Sequence, residues 1–263
     1  MTNIAQHTPR KRFGQHFLTD ENVINQIVYA ISPKPTDNLV EIGPGLGALT
    51  TQILPLSKQL NVVELDRDVI APLQLACKDL GELTVHQGDI LQFDFNTLIQ
   101  PNNPLRVIGN LPYNISTPLI FHLLNYSDDI LDMHFMLQKE VVDRLAAKPG
   151  KKDYGRLSIM LQYYCQADNL FEVPPTAFTP PPKVDSAIVR LTPYENPPFV
   201  ANNKKALDDI VRMAFSQRRK TLRNSLKNAI SSEELSALDI DPQARPETLS
   251  VEEFVRICNN LKE

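Results

Sequence analysis

Between residues 38 and 138 the chain alternates short apolar runs with amphipathic ones, and this alternation narrows the possible folds more than any other feature. NLVEIG (38–43), QLNVVELD (59–66), LTVHQGD (83–89), PLRVIGNLPY (104–113) and MHFMLQ (133–138) have the length and composition of strands. ALTTQILPLS (48–57), DVIAPLQLACKDL (68–80), PLIFHLLNY (118–126) and KEVVDRLAAKP (139–149) follow them with helical spacing. Strands and helices taking turns in this way predict an α/β fold, a doubly wound and mostly parallel sheet. In such sheets a ligand binds beyond the carboxyl ends of the strands. The residues just after each strand are therefore the ones to question. Upstream, DENVINQIVYAI (20–31) predicts an amphipathic helix with Asp20 as its N-cap and Pro33 as its stop. LSIMLQYYCQA (157–167) and AIVRLTPY (187–194) complete the apolar segments.

The polar, proline-rich stretch 192–203 (TPYENPPFVANN) reads as a linker. It divides the chain into a sheet domain, residues 1–192, and a small all-helical domain, residues 200–263. Charge follows the same division. The net charge is −4, which by itself argues against a polyanionic partner. Residues 201–230, however, hold eight basic side chains against Asp208 and Asp209, and residues 231–263 hold eight acidic against three basic. Arg10, Lys11 and Arg12 form a second basic group in an N-terminal arm, residues 1–19. Segregated charge can build a basic surface on an acidic protein; a solvated helix face is the plainer account of 201–230 alone. No run approaches 18 apolar residues and the N-terminus lacks an apolar signal core, so a soluble cytoplasmic protein without a membrane is expected. Three cysteines with no C-x-x-C predict neither a disulfide framework nor a metal site.

Glycine is scarce: nine residues, where an average chain of this length would hold roughly 18. Three of the nine, Gly43, Gly45 and Gly47, fall within five positions at the end of the first strand, in VEIGPGLGALT (40–50). Side chains there would block a ligand from the backbone and from the helix N-terminus. Glu64 ends the next strand, 21 residues after Gly43, where a carboxylate can accept both hydroxyls of a ribose. The spacing is G-x-G-x-G rather than the dinucleotide G-x-G-x-x-G, and Glu41 stands directly before it. A pyrophosphate would meet that charge unfavourably, whereas a cationic amino-acid tail would gain from it. S-adenosylmethionine carries such a tail. Asp89, after the third strand, can accept from an adenine amino group. A tight strand–helix turn without a ligand remains open on these residues alone.

Asn110, Leu111, Pro112 and Tyr113 follow the fourth strand on the same sheet edge. The asparagine supplies a carbonyl acceptor and two donors. Pro112 has no N–H and stiffens the turn, aiming the Leu111 carbonyl outward. Tyr113 offers a face on which a base can stack. These parts suit one chemical problem. The lone pair of adenine N6 is delocalised into the ring, and two acceptors on its N–H groups favour a pyramidal nitrogen that can attack a methyl group. Such bonds are worth about 1 kcal/mol each, whereas holding the reacting atoms in line can supply roughly 7–11 kcal/mol. Orientation is the larger effect, and no strong base is needed. A polar turn with a packed tyrosine is the competing account.

Seven stretches together resemble the small-subunit rRNA adenine N6,N6-dimethyltransferase family over nearly the whole chain. They are KRFGQHFL (11–18), VEIGPGLGALT (40–50), VVELDRD (62–68), GNLPYNISTPLIFHLL (109–124), LQKEVVDRL (137–145), FTPPPKVDSAIVRL (178–191) and FSQRRKTLRNSL (215–226). The resemblance implies a Rossmann-like class I methyltransferase sheet and S-adenosylmethionine as cofactor, without a metal. It implies dimethylation of N6 on two adjacent adenosines in the 3'-terminal hairpin loop of 16S rRNA. Carried over by position, cofactor contacts fall on His16, Leu18, Gly43, Glu64, Asp89 and Asn110; Glu41 and Gly45 are added from the turn itself. Asn110 through Tyr113 match the catalytic corner, and Phe178 matches a second aromatic flanking the target base. Arg10, Lys11, Arg12, Arg218, Arg219, Lys220 and Arg223 are the expected RNA contacts, placed to hold phosphates rather than read bases. The expected partner is small-subunit rRNA within a pre-30S particle, met by a monomer. Three other readings stay open: a large-subunit adenine methylase sharing the corner, a non-enzymatic assembly factor, and a nicotinamide oxidoreductase, which NLPY opposes.

Overall fold

The computed structural model describes residues 16–217 and 220–261. They divide into two compact units. The first comprises the chain up to Val142 together with Asp168–Pro193; the second comprises Asp143–Ala167 and the chain from Tyr194 onward.

The first unit begins with a two-residue strand β1 (Phe17–Leu18) and helix α1 (Glu21–Ile31). Asp20 caps α1 as expected, its carboxylate accepting from the Asn22 and Val23 amides at 2.9 and 3.2 Å. There follow β2 (Asn38–Ile42), α2 (Thr50–Ser57), β3 (Gln59–Glu64), α3 (Arg67–Ala76), β4 (Glu82–Gln87), β5 (Leu105–Asn110), α4 (Ser116–Leu123), β6 (Ile130–Gln138) and α5 (Lys139–Leu145). After α6 (Arg156–Gln162) come β7 (Cys165–Val173), β8 (Phe178–Thr179) and β9 (Ser186–Pro193). The seven-stranded sheet has the order β4-β3-β2-β5-β6-β9-β7. β2 through β6 pair in parallel, and β9 runs antiparallel to β6.

That order places the site. The chain winds outward from β2 to β3 to β4, then returns to lay β5 on the other side of β2. Between β2 and β5 the winding direction reverses, and their carboxyl ends splay to leave a crevice. Every residue of β2 is buried, as a central parallel strand covered on both faces must be. The glycine turn leaves β2 and the NLPY corner leaves β5, so both open into the same crevice.

In the second unit α6 precedes α7 (Lys204–Ala214), α8 (Leu222–Ser225), α9 (Ser232–Ala237) and α10 (Val251–Asn259). α7 lies against α10, with the Phe215 and Phe254 rings 6.1 Å apart. Ser231–Glu234 and Ser250–Glu253 form reciprocal capping boxes on α9 and α10. A boundary at the 192–203 linker puts 143–167 in the first domain, whereas the structure groups these residues with the second. The reason is α6: it packs on α7, and Arg156 pairs with Asp208 at 2.8 Å. The segment LSIMLQYYCQA is accordingly not one element but the end of a helix followed by the start of a strand.

Candidate active site

A cavity of about 920 Å³ opens at the carboxyl ends of β2, β3 and β5 within the first unit. Its wall includes His16, Leu18, Glu41, Gly43, Gly45, Glu64 and Asp89, together with Asn110 through Tyr113. Eleven of the sequence-predicted residues thus meet in one space. Phe178 does not. It is 4% exposed and packs in the apolar cluster with Leu18, Ile24 and Ala177. The β1–β8 ladder, pairing Leu18 with Phe178 and Phe17 with Thr179, turns this ring inward.

Local chemistry explains how the turn forms. Gly43, Gly45 and Gly47 adopt φ of +64°, +56° and +86°, a region closed to most side chains. The Gly43 amide donates to the Val63 carbonyl at 2.9 Å, tying the turn to β3. A Cβ on Gly43 would meet nothing within 4 Å, so this backbone faces open space in the cavity. A Cβ on Gly45 would touch the Phe17 ring at 3.4 Å, and one on Gly47 would strike Leu73 at 2.7 Å.

The two glutamates beside the turn have different environments. Glu64 sits at the end of β3, its Oε2 accepting from the Gly45 amide at 3.1 Å and its Oε1 from the Asp66 amide at 2.8 Å. Burial raises its pKa, and these amides pull it back down. The carboxylate is locked in place with lone pairs left to accept further bonds. Glu41 is 2% exposed and accepts from the Thr50 hydroxyl at 2.7 Å, which fixes the start of α2. Burial pushes its pKa up to about 7, opposed by Thr50 and reinforced by the nearby Glu64 charge. Glu41 is therefore a buried brace under the turn, held by Thr50 and pushed toward its neutral form. Asp89 is exposed and caps the short helical turn after β4, accepting from the Leu91 amide at 3.0 Å.

At the other wall, the Asn110 side-chain amide donates to the His16 carbonyl at 3.3 Å. That bond uses one of the two N–H groups on Nδ2 and ties the side chain to the backbone of β1's neighbour His16. The Leu111 amide donates to the Met136 carbonyl at 3.2 Å; Pro112 removes the next donor in the chain. The Tyr113 hydroxyl bonds Ser186 Oγ at 2.8 Å, and burial raises its pKa. Its ring lies 6.2 Å from the His16 ring at an interplanar angle of 25°. His16 donates from Nδ1 to the Pro180 carbonyl at 2.7 Å. Ser186 and Pro180 escaped sequence reasoning, because their partners lie 73 and 164 residues away along the chain. The only available signal was their membership in the continuous match at 178–191.

The expected RNA contacts divide. Arg10, Lys11, Arg12, Arg218 and Arg219 lie outside the described residues. Lys220 and Arg223 are exposed in the second unit. Their backbones are held by Gln217 and Pro242 carbonyls at 3.1 and 2.9 Å. None of the described helices is long and apolar enough to cross a membrane, and among the described residues no group of three or more His, Cys, Asp or Glu is placed to hold a metal.

The residues present fit a nucleoside cofactor with an amino-acid tail. A bare glycine backbone faces the cavity at Gly43, a fixed carboxylate at Glu64 can accept ribose hydroxyls, and Asp89 lies on the same rim. The volume also suffices for a base entering beside Asn110.

Comparison with known proteins agrees with this geometry. The family model described as Ribosomal RNA adenine dimethylase matches residues 6–263. A Saccharophagus degradans protein named Ribosomal RNA small subunit methyltransferase A is 60% identical over 255 residues, covering 97% of this chain and 95% of its own length. The structure of a dimethyladenosine transferase from Plasmodium falciparum aligns with a TM-score of 0.79 at 29% identity, covering 92% of this chain and 96% of the other. The 23S rRNA methyltransferase ErmE aligns with a TM-score of 0.76 at 22% identity, covering 93% and 99%, and shares the fold. A match running nearly end to end, on a chain whose glycine turn and NLPY corner face one cavity, means that this chain belongs to the ribosomal RNA adenine dimethylase family.

Proposed function

We propose that the chain is an S-adenosylmethionine-dependent methyltransferase that dimethylates N6 of two adjacent adenosines in the 3'-terminal hairpin loop of small-subunit rRNA. The observation that carries the reading is the shared cavity: Gly43 and Glu64 face one side of it, Asn110 and Tyr113 the other. The substrate assignment follows the name of the 60% identical relative. We place the substrate within a pre-30S particle and the enzyme in the cytoplasm as a monomer, where an assembling subunit is accessible.

Glu64 would hold the ribose of the cofactor, Gly43 and Gly45 its amino-acid tail, and Asp89 its adenine. When bound, S-adenosylmethionine supplies an electrophilic methyl group. Asn110 Oδ1 and the Leu111 carbonyl accept the two N–H groups of the target adenine and hold its nitrogen lone pair toward that methyl. Tyr113 carries the base on its face. Unpaired loop adenosines are cheap to bring out of the stack. The corner needs no general base, since the nitrogen becomes acidic once it is alkylated and its proton passes to water. After one methyl transfer a single N–H remains, and the pocket must admit a rotated monomethylamine for the second.

Mass spectrometry of rRNA before and after incubation with the protein and cofactor tests this. The expected product carries two methyl groups on each of two adjacent adenosines of the small-subunit RNA. Modification of the large-subunit RNA instead, or none at all, overturns the assignment.

A further inference from the structure

The turn between α5 and α6, in the second unit, reads Lys148-Pro149-Gly150-Lys151-Lys152. Its backbone is tightly held. Gly150, at φ +80°, donates to the Glu247 carbonyl at 2.7 Å. The Lys151 amide donates to the Lys148 carbonyl and the Tyr154 amide to the Lys151 carbonyl, both at 3.1 Å. The three lysine side chains project from this fixed turn and are exposed. Acids of the same unit are engaged elsewhere: Asp208 with Arg156 at 2.8 Å, Glu252 with Arg256 at 3.6 Å, and Glu247 with Arg245 at 3.8 Å. Glu253 accepts from Ser250 N and Oγ at 2.7 and 2.9 Å. Among the described residues no acid pairs with Lys148, Lys151 or Lys152, and Asp153 is the one opposing charge in the turn itself.

The strand of backbone that anchors this turn also anchors the basic start of α8. Pro242 and Ala244 carbonyls accept from the Arg223 and Leu222 amides at 2.9 Å each, and Glu247 accepts from Gly150. Five residue steps separate Pro242 from Glu247, at most about 17 Å even if fully extended. A duplex rises about 3.4 Å along its axis per phosphate of one strand, so a span of this size corresponds to a few phosphates. Two unpaired basic groups thus sit on one scaffold at a spacing that a single run of nucleic-acid backbone covers.

We infer that Lys148, Lys151 and Lys152 form a second phosphate-contacting surface, which with Lys220 and Arg223 grips the RNA backbone on the C-terminal unit. The inference rests on the reading of the chain as an rRNA enzyme. Lysine ammonium groups act as point charges on phosphates, so the surface adds affinity and position without reading sequence.

The test compares the full-length protein with its Lys148→Ala/Lys151→Ala/Lys152→Ala and triple Lys→Arg variants. Binding to small-subunit particles is measured between about 50 and 200 mM salt, with methylation followed in parallel. The alanine variant is expected to bind about 10-fold or more weaker at the low-salt end, with the slope of log K against log salt reduced by about 2 to 3. The arginine variant should restore both. An unchanged slope, whether or not affinity falls, overturns the inference while leaving methylation by the unaltered protein intact. Failure of the unaltered protein to bind or methylate the particle overturns the functional reading and this inference with it.

Discussion

The Asn110 side-chain amide is held by the His16 backbone carbonyl at 3.3 Å. This bond engages one of the two N–H groups of the amide and fixes its orientation at the cavity wall, where the proposed reaction needs Oδ1 as an acceptor. Asn110→Ala removes the acceptor while leaving Glu64 and the glycine turn untouched. Misplacing a reacting group by about 1 Å can cost about 10²-fold. Asn110→Ala is therefore expected to lower kcat by about 10²-fold or more, with Kd for S-adenosylhomocysteine changing by much less. Single-turnover methylation and calorimetric binding separate the two, and retention of full dimethylation would remove Asn110 from its role.

Tyr113 makes two separable contributions. Its hydroxyl satisfies Ser186, which is fully buried, and its ring faces the cavity beside His16. Tyr113→Phe keeps the ring and strands the serine, at a cost of about 1–3 kcal/mol in stability. Tyr113→Ala also loses base stacking, worth about 1–3 kcal/mol. Activity well below the melting point should survive in the phenylalanine variant and fall about 10-fold or more in the alanine variant. Equal losses in both would show that the hydroxyl, not the face, matters.

Much of this site was legible because its parts are local in sequence. The glycines of the turn, Glu64 at the next strand end, and Asn110 through Tyr113 each declare themselves within a few residues, and the alternation of elements brings them to one sheet edge. What failed to show was set by distant pairing. β1 and β8 are two residues each and lie 160 positions apart, too short to produce a period-two pattern. Their ladder buries Phe178, which motif matching had placed beside the base, and it brings His16 against Pro180 and Tyr113. Arg106 is similar. It is buried between Asp132 and Asp37, at 2.9 and 2.6 Å, partners 26 and 69 residues away along the chain that no local pattern points to.

Glu41 gives a pH dependence of defined sign. Its folded-state pKa of about 7 lies above the ordinary 4.5. Between these values the folded protein keeps a proton that the unfolded chain has released, so stability is full below about pH 4.5 and declines as pH rises through about 7. At about 1.4 kcal/mol per unit, the decline attributable to this residue is about 3 kcal/mol. Glu41→Gln keeps an acceptor for Thr50 without a charge to desolvate. Urea midpoints at about pH 5 and pH 8 should lie closer together in the glutamine variant; Glu64, whose pKa is also raised, sustains part of the slope. Parallel pH profiles would show that Glu41 is ionised at no cost.

Two glycines that precede site residues should respond differently to a methyl group. An added Cβ at Gly109 would lie 2.6 Å from the Ile42 carbonyl oxygen and 3.1 Å from Leu111 Cδ2. The first contact is to the backbone of the neighbouring central strand, which cannot rotate away, so β2 and β5 must separate at the crevice itself. Overpacking of this kind costs about 1–3 kcal/mol. At Gly88 an added Cβ would meet nothing within 4 Å, and its backbone does not require a left-handed conformation. Gly88→Ala should therefore stay within about 0.5 kcal/mol of the parent. Because Gly109 is followed directly by Asn110, its alanine variant should also lose activity at temperatures where it remains folded. Chemical denaturation of both variants, with methylation assayed below the transition, checks the pair. Equal destabilisation would mean that β2 and β5 do not approach at Gly109 as closely as 2.6 Å implies.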